Sequence, residues 1–263
     1  MENIFKRLEF VVKESEDLTK HFDKSEQNEI MMFCMCMLDR VNFSAEGLKI
    51  LLDKFTVNTK VEYSSGIIIR SVLLDYLILL NALEIYGRNI EDSKKCYSEL
   101  KEYCLMMLCD SVRNTLEYFD TLKNQVQEQT LKNMYLNLTT MNPMCFEPYS
   151  NDGTVPLIKT KKYKSPKQLF NTLVTSKHLE RYKSVYEAYL FYSKYDHFGN
   201  MFYGLSRVNP LDQLANIDKV MNIFPRILLF TITILESLYP SEIFIRKKRE
   251  ACMKFIDTIE GIK

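Results

Sequence analysis

Between Gly66 and Gly87 the chain reads GIIIRSVLLDYLILLNALEIYG, an almost unbroken apolar stretch carrying one arginine, Arg70, and one aspartate, Asp75. A stretch of this kind must leave water, and it is too long for a typical strand, so it predicts a buried helix. No proline interrupts it, and Gly87 suits a left-handed helix cap. Steps of three and four from Arg70 bring Ile67, Leu73, Leu74, Leu77 and Asn81 onto or near one mostly apolar face. A guanidinium cannot shed its charge, so burying Arg70 demands a carboxylate, a phosphate or several carbonyls from elsewhere in the fold. Asp75 lies roughly 140° round the same helix and does not serve. An ion pair that merely fixes helix packing is an equal reading of Arg70.

The rest of the chain points the same way. With 7 Gly and 7 Pro in 263 residues, and no proline before Pro143, turn-rich β structure is disfavoured. Apolar residues at helical spacing predict helices over residues 1–23 and 25–41, and over a third segment, AEGLKILLDKF, capped by Ser44. Residues 89–138 predict one long helix or two abutting ones. Four of the seven prolines fall in residues 139–168, which reads as a long connection. Helices resume over 166–175, 178–197, 211–239, with a kink or restart near Pro225, and 241–259. The expected fold class is all-α, a multi-helix bundle with a long proline-containing connection. It is read as a single helical domain over 1–263, with N-terminal helices in 1–138, the connection in 139–165 and C-terminal helices in 166–263.

A net charge of +1 gives no global pull towards nucleic acid or an acidic membrane, so such contacts would need a local patch. Seven cysteines without framework spacing suggest free thiols in a reducing, cytoplasmic setting. The opening MENIFKRLEF lacks the pattern of a secretion leader. Neither the charged run from Gly66 to Leu80 nor the short one from Ile223 to Leu235 reads as a membrane span, so no membrane partner is expected. There is no Gly-rich phosphate loop, HExxH or GxSxG, and three histidines with scattered cysteines give no metal spacing. No cofactor and no metal are therefore expected.

Two stretches carry candidate chemistry. In YEAYLFYSKYDHFGNMFYG, Ser193 and His197 stand four residues apart on one helical face, with Tyr189 and Tyr186 one and two turns back. A histidine in a last helical turn can titrate near neutral pH and act as acid, base or phosphate contact. It can equally be a capping group bonded to Asp196 or a carbonyl. In KTKKYKSPK, Lys161, Lys162 and Lys164 flank Tyr163 without an acid, an arrangement able to hold phosphates or simply to stay solvated.

The pattern Arg70-Ser71-Val72-Leu73 in an apolar helix, followed far downstream by Tyr192-Ser193-Lys194-Tyr195-Asp196-His197, resembles a family of bacterial all-helical proteins grouped with the HEPN-like bundles. The resemblance covers about residues 40–205. It implies that Arg70, Ser193 and His197 meet between core helices as a catalytic or binding constellation. Asp75 and Tyr192, in the same two stretches, are further binding candidates. It also implies a nucleotide or RNA as ligand, a setting in bacterial defence or stress response, and a homodimer. The family usually shows Glu four residues after the arginine, where this chain has Leu74 and then Asp75. The closely spaced Arg–polar–His signature of ribonuclease-active members is absent before His21, His178 and His197, which argues against metal-independent RNA cleavage. The rival expectation is a non-catalytic interaction or scaffold protein with a protein partner, in which the same residues only tie helices together.

Overall fold

The computed structural model describes residues 1–22, 28–54, 61–150, 152, 154–174, 179–193 and 209–261. The described residues are all-α, with one isolated antiparallel bridge between Phe146 and Ile158. They fall into two compact units. The first takes Met1–Ser25, Cys34–Glu84 and Pro166–Lys263; the second takes Glu26–Phe33 and Ile85–Ser165.

In the first unit the helices are α1 (Glu2–Phe22), most of α2 (Glu29–Asp53) and α3 (Val61–Arg88), α6 (Pro166–Leu173), α7 (Leu179–Tyr192), α8 (Pro210–Val220), α9 (Ile223–Leu238) and α10 (Ile243–Glu260). Helix α9 packs on both α1 and α10, as its composition requires: Leu228, Ile232, Ile234 and Leu235 are all fully buried. Leu73, Leu77 and Leu80 bury α3 in the same unit. Several polar groups that enter this core are matched. Lys248 Nζ lies 2.9 Å from Glu14 and 2.6 Å from Asp17, Arg7 Nη1 donates to Asp218 at 2.7 Å, and Asn81 Nδ2 donates to the Leu169 carbonyl at 3.0 Å.

In the second unit α4 (Ser93–Leu122) and α5 (Glu128–Met141) pack together and onto a single 3-10 turn, Pro143–Cys145. Asp92 caps α4 by accepting the Lys95 N–H at 3.0 Å. The connection is not structureless. Glu147 N donates to the Leu157 carbonyl and Lys159 N to the Cys145 carbonyl, both at 2.9 Å, so its two arms run antiparallel.

Several boundaries differ from the sequence reading, each for a physical reason. Ser44 does not start a helix, because α2 runs through it. Leu38, Val41, Ala45, Leu48 and Leu52 keep the buried rhythm across that point, and burial outweighs a local capping preference. Gly87 does not cap α3; the positive-φ glycine among the described residues is Gly261, which ends α10. Helix α3 ends instead with the Asn89 amide donating to the Ile85 carbonyl at 2.9 Å. Residues 89–138 resolve into two helices, the second reaching Met141. Pro225 lies in the first turn of α9, and the break falls just before it, at Met221 and Asn222. By length and composition Ser64–Arg88 and Leu211–Leu238 are apolar enough to cross a membrane, although 61% and 56% of their most apolar windows are buried within the fold, as in core helices of soluble proteins.

Candidate functional site

Arg70 is half-buried on α3, with its guanidinium carbon 5.9 Å from the ring centroid of Tyr189 on α7. An aromatic face attracts a cation through its quadrupole without supplying a counter-charge. The ring belongs to a row: Tyr189 stacks near Tyr186 at 6.2 Å, and Tyr186 stacks on Phe170 of α6 at 4.3 Å. His197, the partner expected from the sequence, lies outside the described residues. Ser193, one residue past the end of α7, donates its hydroxyl to the Leu190 carbonyl at 2.7 Å.

Asp75 is 3% exposed and is met by Arg40 of α2, a residue the sequence reading passed over. Arg40 Nε lies 3.0 and 3.1 Å from the two carboxylate oxygens, and Nη2 reaches Oδ1 at 2.9 Å and the Ser71 hydroxyl at 3.2 Å. Burial pushes the Asp75 carboxyl above the ordinary aspartate range, and the Arg40 charge and hydrogen bonds pull it back only in part. The signal was available in principle. A carboxylate inside an apolar helix needs a cation, and α2 carries Arg40, beside Asp39, just after the apolar run from Ile30 to Leu38.

The basic loop of the second unit does not present a free lysine stripe. Lys162 pairs with Glu102 at 2.5 Å, and Lys164 sits 5.8 Å from the Tyr103 ring centroid, where burial and the nearby Arg88 charge lower its pKa. The Tyr163 ring lies under Arg113 at 5.0 Å. Lys161 is exposed.

The first unit holds a cavity of about 570 Å³ that the sequence did not announce. Helix α3 gives it Tyr76; α7 gives Glu187, Phe191 and Tyr192; α8 gives Asn216 and Lys219; the α8–α9 junction and α9 give Asn222 and Arg226. Tyr192, a binding candidate from the sequence, is therefore a wall of this cavity, whereas Arg70, Asp75 and Ser193 are not among its lining residues. Tyr76 is held flat against Phe230, with centroids 5.4 Å apart, and Phe191 meets Tyr192 edge-on at 5.1 Å. Arg226 is fixed by Glu260 at 2.5 Å and by the Tyr76 side chain. Burial works against its charge, but these partners more than offset it and hold its pKa above the usual guanidinium value. The exposed Lys219 ammonium has an amide neighbour, Asn216 Oδ1, at 3.5 Å. Asn222 Oδ1 is a buried acceptor with no hydrogen-bond donor among the described residues. Aromatic faces, two cations and amide groups thus line one volume. No cluster of His, Cys, Asp and Glu able to hold a metal ion occurs among the described residues.

The fold and cavity define an all-helical protein with an aromatic, cation-bearing pocket. No known family, curated protein or solved structure matches the chain.

Proposed function

We propose that the cavity of the first unit binds a nucleotide. The observation that carries this reading is the convergence of Phe191, Tyr192 and Tyr76 with Lys219 and Arg226 around about 570 Å³, a size typical of small-molecule sites. A base is a flat π system that gains from aromatic walls, and phosphate oxygens seek ammonium and guanidinium donors. Asn216 and Asn222 supply amide donors and acceptors for a base edge, and exposed Glu187 supplies an acceptor for ribose hydroxyls. A free nucleotide is favoured over an RNA chain because the pocket gathers two cations into one volume beside aromatic walls, whereas a polymer needs a run of cations along its backbone. A HEPN-like protein acting in bacterial defence or stress response is the setting that accords with this reading.

Calorimetric titration of AMP, ATP, GMP and GTP into the full chain tests it. At least one should bind, and Lys219→Ala should weaken that binding about tenfold, the loss of roughly one charge-assisted contact. If none binds to the folded wild type, the proposal fails. The roles of Arg70, Ser193 and His197 are tested separately: Arg70→Ala and His197→Ala variants that fold and bind RNA and nucleotides like wild type would end the case for them.

A second reading is favoured by the ion pairs that tie helices within the first unit, Arg40–Asp75, Arg226–Glu260 and Lys248–Glu14. They suit a scaffold whose charged residues fix packing. In that case Arg226→Ala lowers the melting temperature, and no nucleotide binds to wild type.

A further inference from the structure

Glu260, the last residue of α10, is not among the residues lining the pocket, yet it holds two that are. Arg226 Nη2 donates to its Oε1 at 2.5 Å, and the Asn222 amide nitrogen reaches the same oxygen at 3.5 Å. The Arg226 and Glu260 side chains are 28% and 19% exposed, so water screens the pair only in part, and the carboxylate offsets the guanidinium charge that a ligand would meet. Lys219 differs. Its neighbour is the neutral amide oxygen of Asn216 at 3.5 Å, and among the described residues no carboxylate pairs with it. Glu187 brings a negative charge into the same lining. Among the described residues two cations are thus set against two carboxylates, one in the lining and one just outside it.

Resting on the nucleotide reading of this pocket, we infer that it takes a nucleotide with one phosphate group rather than three, and that Glu260 sets this limit by neutralising Arg226.

A terminal phosphate carries roughly 1.5 to 2 negative charges near neutral pH, and each further phosphate in a chain adds to them. One phosphate group can be met by the Lys219 ammonium together with Arg226, whose fork has more N–H groups than Glu260 takes. Two further phosphates would enter a volume with no net positive charge left to receive them, close to the Glu260 and Glu187 carboxylates. Like charges in a partly desolvated site repel more strongly than they do in water. Triphosphate sites commonly meet this demand with a glycine-rich loop of backbone N–H groups, and the sequence has none.

The test titrates AMP, ATP, GMP and GTP, in buffer without divalent metal ions, into the full chain and into its Glu260→Gln and Glu187→Gln variants. Calorimetry gives the affinities, and a thermal melt checks that each variant is folded. Wild type should bind the monophosphate of its preferred base about tenfold more tightly than the matching triphosphate. Glutamine keeps an oxygen for Arg226 and Asn222 but removes the charge, so Glu260→Gln should shrink that ratio about tenfold. Glu187→Gln should shrink it by less, because Glu187 is exposed and solvent screens its charge. A wild type that binds a triphosphate as tightly as its monophosphate, or more tightly, overturns the inference and leaves the nucleotide reading standing. Binding of none of the four by folded wild type overturns both. An unchanged ratio in folded Glu260→Gln overturns the role of Glu260. If that variant does not fold, an unchanged ratio in Glu187→Gln overturns the charge limit instead.

Discussion

At the scale of single residues, the Arg40–Asp75 contact makes the clearest demand. Asp75 is almost fully enclosed, whereas half of the Arg40 side chain is exposed. Removing Arg40 leaves a buried carboxylate that water can reach only through the space vacated. Arg40→Ala is therefore expected to lose about 2 kcal/mol in urea denaturation, below the usual 3–5 for breaking a fully buried pair. Asp75 has a pH signature of its own. Because burial raises its folded-state pKa above the ordinary 3.8, the folded protein holds that proton more tightly than the unfolded chain does. The stability of wild type relative to Asp75→Asn should then fall as pH rises above 3.8 through the folded titration, and should level off once Asp75 is ionised in both states. A difference that rises over that window would contradict the burial argument. The sequence made it legible that charges inside the Gly66–Gly87 run need partners. It did not show which ones, because pairing between helices depends on their relative register, and local spacing does not encode register.

At the scale of elements, apolar rhythm carried most of the information. The helices at residues 2–22, 61–88 and 243–260 follow it closely, since one buried face per helix leaves a strong periodic trace. Ends were less legible. Ser44 is a good cap residue that the buried face of α2 overrides, and Gly87 is a good stop that Asn89 supersedes by donating its amide to the Ile85 carbonyl. Asp92, by contrast, acts as its residue type suggests. Asp92→Ala should cost about 1 kcal/mol in the unfolding of the second unit, with lower amide protection over the first turn of α4 in hydrogen exchange. Unchanged stability would mean that solvent caps α4 equally well.

At the scale of the whole molecule, the all-α class was readable from scarce glycine and proline together with helical periodicity, but the candidate pocket was not. Its walls come from three stretches far apart in sequence, α3, α7 and the successive helices α8 and α9, and no motif links Tyr76 to Lys219 or Arg226. Of its walls only Tyr192 is a candidate from the sequence, as the first residue of the Tyr192–His197 pattern. If a nucleotide occupies the pocket, a concentration 100 times its Kd should stabilise the protein by about 2.7 kcal/mol. Slowed amide exchange should then concentrate in α3, α7, α8 and α9. Protection confined to the basic loop of the second unit would place the ligand elsewhere. The Phe146–Ile158 bridge has a practical corollary. Because strand-like bonds hold both arms at their base, a broad-specificity protease that nicks the exposed tip near Thr154 should yield two bands on a denaturing gel that still elute together under native conditions.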